Sequence, residues 1–248
     1  MSLARITGRF KVAETAPDPR PEYAKQLTAA AGVLAAVAGY VNAITIGGAL
    51  HVATTHMSGT TTHFSVDLVQ NADRSTLLLD LGLIVTFVLG ASVSGMVLDS
   101  TQLRLGRRYG VLLVIESLLL SLAWLALRAG SPVHLVAIAM AAGLQNSMAT
   151  QYSRAIVRTT HMTGILTDLG IALGKWIARR GVTSWRVILY LSIFGGFASG
   201  GIAGAAAYFA LRENALLVPI GVTGIGGLVY WALRHRWLIA NGNAARQG

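Results

Sequence analysis

Thr54-Thr55-His56-Met57-Ser58-Gly59 and Thr159-Thr160-His161-Met162-Thr163-Gly164 are one phrase written twice, 105 residues apart. At the same offset Thr62 falls on Thr167, Leu68 on Leu173 and Arg107 on Arg212. Phe87 falls on Ser192, and Gly90-Ala91-Ser92-Val93-Ser94-Gly95 falls on Gly195-Gly196-Phe197-Ala198-Ser199-Gly200. With the offset eased to 104, Gly39-Tyr40-Val41-Asn42-Ala43 falls on Gly143-Leu144-Gln145-Asn146-Ser147. The chain therefore reads as a duplicated unit in which each copy keeps a polar motif inside apolar sequence. That combination is expected of a membrane transport protein with a site between its halves.

The surrounding composition agrees. Hydrophobic residues make up 54% of the chain, charged residues only 12%, and the mean hydropathy is +0.59. Soluble domains carry about 25% charged residues, so the deficit points to a lipid bilayer as the partner surface. With no cysteine among the 248 residues, disulfides, thiolate catalysis and cysteine metal sites are excluded. The net charge of +10 is read as membrane orientation, not nucleic-acid binding, because the basic residues lie between apolar spans and not on one face.

Six stretches have the length a crossing helix needs, about 17–25 residues. They are Leu27–Leu50, Leu77–Leu98, Gly110–Leu127, Pro132–Met148, Val187–Leu211 and Ala215–Leu233. Six crossings with a cytoplasmic N-terminus put nearly all Lys and Arg inside and leave Arg74, Arg128 and Arg212 outside. Letting the motif segments cross as well would move Arg104, Arg107, Arg108, Arg154 and Arg158 outward, against the positive-inside rule. The expected fold is thus an all-α polytopic membrane protein of six transmembrane helices in two inverted three-helix repeats, each with a re-entrant or half-helix motif segment. Residues 1–25 are expected to form a cytoplasmic tail with no signal-peptide core. Residues 26–129 are the first repeat with its motif at 54–70, and 130–235 the second with its motif at 159–175. Residues 236–248 are expected to form a second cytoplasmic tail, in a bacterial inner membrane.

Within the motifs, Ser58 and Thr163 are expected to cap short helices, the first running from Gly59 to Gln70. Such a helix is about half a hydrocarbon core long, and its N-terminus suits an anion or a carbonyl oxygen. His56, Thr60, His63 and Asp67 share one helical face, which predicts a polar lining. An interfacial amphipathic helix is the competing reading. The substrate-binding candidates are Ser58, Gly59, Thr60, Thr163, Gly164 and Thr167, with His56, His161, Asn42 and Asn146 behind them. Asn42, Gln145 and Asn146 either bond across helices or orient a solute. No resident metal or other cofactor is expected. Glu116, well inside the third span, is a proton-coupling candidate, because a carboxylate at such depth is costly. Gly196, Gly200 and Gly204, echoed by Ala91 and Gly95, form a ladder of small residues for close helix contact, within the chain or across a homodimer.

These stretches resemble the YoaK-like family of bacterial membrane proteins, the domain of unknown function 1275. The similarity rests on Gly39-Tyr40-Val41-Asn42-Ala43, Met57-Ser58-Gly59-Thr60, Gly143-Leu144-Gln145-Asn146-Ser147 and Thr160-His161-Met162-Thr163-Gly164-Ile165-Leu166-Thr167, and it extends over residues 27–235. Asn42 stands where the family usually has Asp, and Thr60 where it has Asn. The resemblance implies the fold and no settled substrate. The functional expectation is a non-enzymatic transporter or channel for a small polar solute or anion. The alternatives are an integral-membrane enzyme or lipid-handling protein using its histidines, or a scaffold.

Overall fold

The computed structural model describes residues 21–48, 54–98, 108–153 and 157–244. Among them there are eight α-helices and no strand. They are α1 (Pro21–Gly47), α2 (Met57–Val69), α3 (Arg74–Val97), α4 (Arg108–Arg128), α5 (Val133–Tyr152), α6 (Met162–Ile177), α7 (Ser184–Leu211) and α8 (Leu217–Ala244). A 3-10 turn at Arg212–Leu216 joins α7 to α8. The six long helices coincide with the six expected apolar stretches. The tail expected over 236–248 is helical as far as Ala244, because the apolar run continues through Trp237-Leu238-Ile239-Ala240. The N-terminal tail lies outside the described residues up to position 20.

Four stretches are long and apolar enough to cross a membrane: Tyr23–Gly47, Arg74–Val97, Arg108–Arg128 and Ser184–Trp237. The last is 54 residues long and holds both α7 and α8. A straight helix of that length would span about 80 Å, far more than a hydrocarbon core of about 30 Å. The chain reverses instead at Arg212, whose φ of 52° breaks the helix. α5 falls outside the four because Gln145, Asn146 and Gln151 lower its hydropathy. It is also the most enclosed helix, with both amides at 145 and 146 buried. A helix surrounded by protein has no need to be apolar all round. The outer faces of α3, α7 and α8 carry Leu78, Val85, Met96, Ile202, Phe209 and Ile225 in the open, as lipid-facing helices do.

The helices pair in a reciprocal pattern: α1 with α7, α3 with α5, and α4 with α8, while α2 leans on α3 and α6 on α7. Along α1 and α7 the contacts advance together, Gly32 meeting Ser192, Ala36 meeting Gly200 and Tyr40 meeting Gly204. Along α3 and α5, Gly82 meets Val136 and Gly90 meets Met140 in the same sense. α1 and α5 run oppositely, since Tyr23 reaches the Tyr152 carbonyl while Gln145 reaches Leu34. α4 and α8 also run oppositely: Gly110 packs on Gly227 and Trp124 bonds Asn214.

The small-residue ladder is a contact inside the chain. A Cβ at Gly196, Gly200 or Gly204 would strike the carbonyl oxygens of Gly32, Ala36 and Tyr40 on α1. On α3 the glycine that makes this approach is Gly90, against Met140, whereas Gly95 faces open space. The equivalent of Gly200 is therefore Gly90, 110 residues away, and Phe197 pairs with Phe87. Constant spacing fails here because α6 is longer than α2 and the link after it is longer too.

Candidate functional site

The two motif loops are held by side-chain amides at the ends of α1 and α5. Asn42 Oδ1 accepts from the Thr55 hydroxyl at 2.9 Å, and Thr54 bonds Thr45 at 3.3 Å. In the second copy Asn146 Nδ2 donates to Thr160 Oγ1 at 2.9 Å, while its Oδ1 accepts from the Thr160 backbone N–H at 3.3 Å. Thr159 donates to Gln145 Oε1 at 2.9 Å. All of these side chains are buried. An amide buried in a membrane protein must find partners, and here it uses the two-threonine step before each histidine. Asn42 and Asn146 are thus loop anchors in the first place.

Helices begin directly after these anchors. α2 starts at Met57 behind His56, and α6 at Met162 behind His161. Neither start has a side-chain cap. Ser58 and Thr163, expected as caps, are already inside the first turn, because the anchored threonines fix the chain so close to the helix that no extended residue remains between. Each unmatched first turn carries partial positive charge.

Both starts border one cavity of about 570 Å3. Its walls hold Thr55, His56 and Ser58 from the first copy and Asn146, Thr160, His161 and Thr163 from the second, together with Phe87, Ser147, Gln151 and Arg158. The His56 ring stands edge-on to Phe197, with centroids 5.7 Å apart. Among the described residues no carboxylate lines this cavity, and Arg158 is its one permanent charge. A neighbouring cavity of about 370 Å3 is lined by Arg158, His161, Thr163, Gly164, Thr167 and Asp168.

The expected site residues therefore divide. Ser58, His56, Thr163, His161 and Asn146 meet at the shared cavity. Gly164 and Thr167 face only the smaller one, and Gly164 leaves room for the His161 ring, which a Cβ there would strike. Gly59, Thr60 and Asn42 line neither. Gly59 has open space beside it, and Thr60 is buried with its hydroxyl on the His56 carbonyl at 3.4 Å. The face predicted to be a polar lining, Thr60, His63 and Asp67, is turned to α3, where His63 Nδ1 lies 2.8 Å from Asp80 Oδ2. Glu116 is buried off the cavity. Its Oε1 accepts from Gln145 Nε2 at 3.1 Å, and its Oε2 has no partner. It reaches the site only through Gln145 and Thr159.

Arg158, Gln151 and the anchoring threonines are the residues that sequence reasoning left out of the site. The threonines had a signal: each copy places a Thr 13 or 14 residues after its Asn, at Thr55 and Thr160. Arg158 had none, since Ala53 stands at its place in the first copy. No curated protein and no solved structure shows significant similarity to the chain. Residues 30–229, which include both motif loops and at least part of every long helix, match the family described as Protein of unknown function (DUF1275), and the chain belongs to that family.

Proposed function

We propose that the protein is a transporter or channel for a small polar solute or anion in a bacterial cytoplasmic membrane. Six helices cross as two inverted three-helix repeats, with both termini on the cytoplasmic side. α2, of 13 residues, and α6, of 16, are too short to span and enter as half-helices from opposite faces. Equivalent helices that touch, α1 with α5 and α4 with α8, run in opposite directions, which favours a pseudo-two-fold axis in the membrane plane. The observation that carries the function is the shared cavity: both copies of the motif line it, two helix N-termini border it, and among the described residues its permanent charge is a single arginine. That field attracts negative charge and repels cations. A scaffold would have no use for such a space.

Flux through liposomes holding the purified full chain tests this reading, with formate and nitrate as anionic probes and glycerol as the neutral one. Arg158→Glu is expected to lower anion flux at least about tenfold, equivalent to about 1.4 kcal/mol, and to leave glycerol unaffected. Unchanged anion flux in that variant, or no flux of any probe in the parent protein, rules the proposal out.

Gly164→Leu is expected to stop flux of every probe while the protein elutes as before. A Cβ at this position meets the exposed His161 ring as its nearest neighbour, and that ring can swing aside, so folding survives and the cavity wall does not. Parental rates in this variant would count against a solute path along the second motif.

A further inference from the structure

We propose that His63, Asp67 and Asp80 form a binding site for a first-row divalent cation that clamps α2 to α3. The site is separate from the shared cavity and does not depend on the transport reading. His63 and Asp67 are four residues apart on α2 and so share a face. Asp80 comes from the second turn of α3. Nδ1 of His63 lies 2.8 Å from Asp80 Oδ2 and 3.2 Å from Asp67 Oδ2. One ligand atom from each of the three lies within 4.8 Å of the others.

The arrangement is short of positive charge. Both carboxylates turn to one ring nitrogen, which carries at most one hydrogen. The Asp80 side chain is only 5% exposed and that of Asp67 14%. Asp67 Oδ2 is buried and makes no hydrogen bond. No Lys or Arg forms a salt bridge with either carboxylate among the described residues. An enclosed pair of acids that share one imidazole as their counter-charge is left a positive charge short, which is costly. A divalent cation in place of the shared proton matches both charges and satisfies the unpartnered oxygen. One imidazole with two carboxylates suits Zn2+ or Mn2+ better than Ca2+. Three protein ligands leave positions for water, on the side where the His63 ring is 62% exposed.

The second copy shows that the joint itself needs no such cluster. There Asp168 stands in place of His63, Ala172 in place of Asp67 and Tyr190 in place of Asp80. Asp168 and Tyr190 face one another where α6 packs on α7. The acids of the first copy are an addition to the packing.

Isothermal titration of the metal-stripped full chain with Zn2+ tests the site, with Mn2+ followed by electron paramagnetic resonance. One Zn2+ per chain is expected, and Asp67→Asn, Asp80→Asn and His63→Gln should each weaken binding at least about tenfold. Arg158→Glu and Gly164→Leu should bind Zn2+ like the parent, which separates this result from the fate of the transport proposal. Absence of binding, or equal binding by all three site variants, overturns the proposal. Should Asp80→Asn fail to fold, His63→Gln decides, because that side chain is largely exposed.

Discussion

Valine at Gly200 is expected to unseat the α1–α7 pair, at a cost of at least about 3 kcal/mol. A Cβ at this position meets the carbonyl oxygen, carbon and Cα of Ala36. Those atoms belong to a helix backbone and have no rotamer to escape into. Moving α1 aside would open the contacts at Gly196, Gly204 and Gly39 on the same seam, with the dispersion and weak Cα–H···O interactions that close approach provides. Within a bilayer no hydrophobic force drives the helices back together, since lipid is as apolar as leucine. Gly195→Val is the matched control. It lies five residues earlier on α7, and a Cβ there meets nothing within 4 Å. Its effect should stay within about 1 kcal/mol. Thermal unfolding of both purified variants measures the contrast, and equal melting would disprove the backbone-contact account.

The long helices were legible because twenty or so apolar residues in a row have few other uses. Register between the copies was not. Gly, Ala and Ser are so frequent in α3 and α7 that several offsets give matching small residues, and the extra length of α6 leaves no mark on the motif itself. Gly95 could stand for Gly200 on paper, although the backbone contact is made by Gly90. The helix starts at Met57 and Met162 were missed for another reason. Capping preference is local, but here the start is set from a distance by Asn42 and Asn146 gripping the preceding threonines. Arg158 was legible only as a charge that orients the chain. Its second place, on the wall of the cavity, depends on how the loop after α5 returns, and nothing in the motif encodes that. Conversely, the duplication was plain in the two copies of the motif, and His56 and His161 both line the shared cavity.

Gln145→Leu should be the most damaging single change in the polar network. The amide serves three partners at once: it donates to Glu116 Oε1 at 3.1 Å and to the Leu34 carbonyl at 3.3 Å, and it accepts from Thr159 at 2.9 Å. Leucine fills much of the volume and satisfies none of them. Glu116 would then be buried with neither oxygen partnered, since Oε2 already lacks one, and the second motif loop would lose one of its ties to α5, keeping those that Asn146 makes to Thr159 and Thr160. Each stranded polar group costs about 1–3 kcal/mol, more for a carboxyl group, so a loss of about 3 kcal/mol or more is expected. If the penalty comes from stranding and not from lost volume, removing the other partner should restore stability. The double variant Gln145→Leu, Glu116→Leu should therefore melt above Gln145→Leu alone, with a coupling energy of at least about 1 kcal/mol in a double-mutant cycle. Recovery would still leave Thr159 without its 2.9 Å bond to Gln145 and held only by the longer one to Asn146 at 3.3 Å, so the double variant should be folded yet slow in the flux assay. Simple additivity of the two changes would mean that Glu116 and Gln145 do not act as a pair, and the link from the buried acid to the motif loop would fall with it.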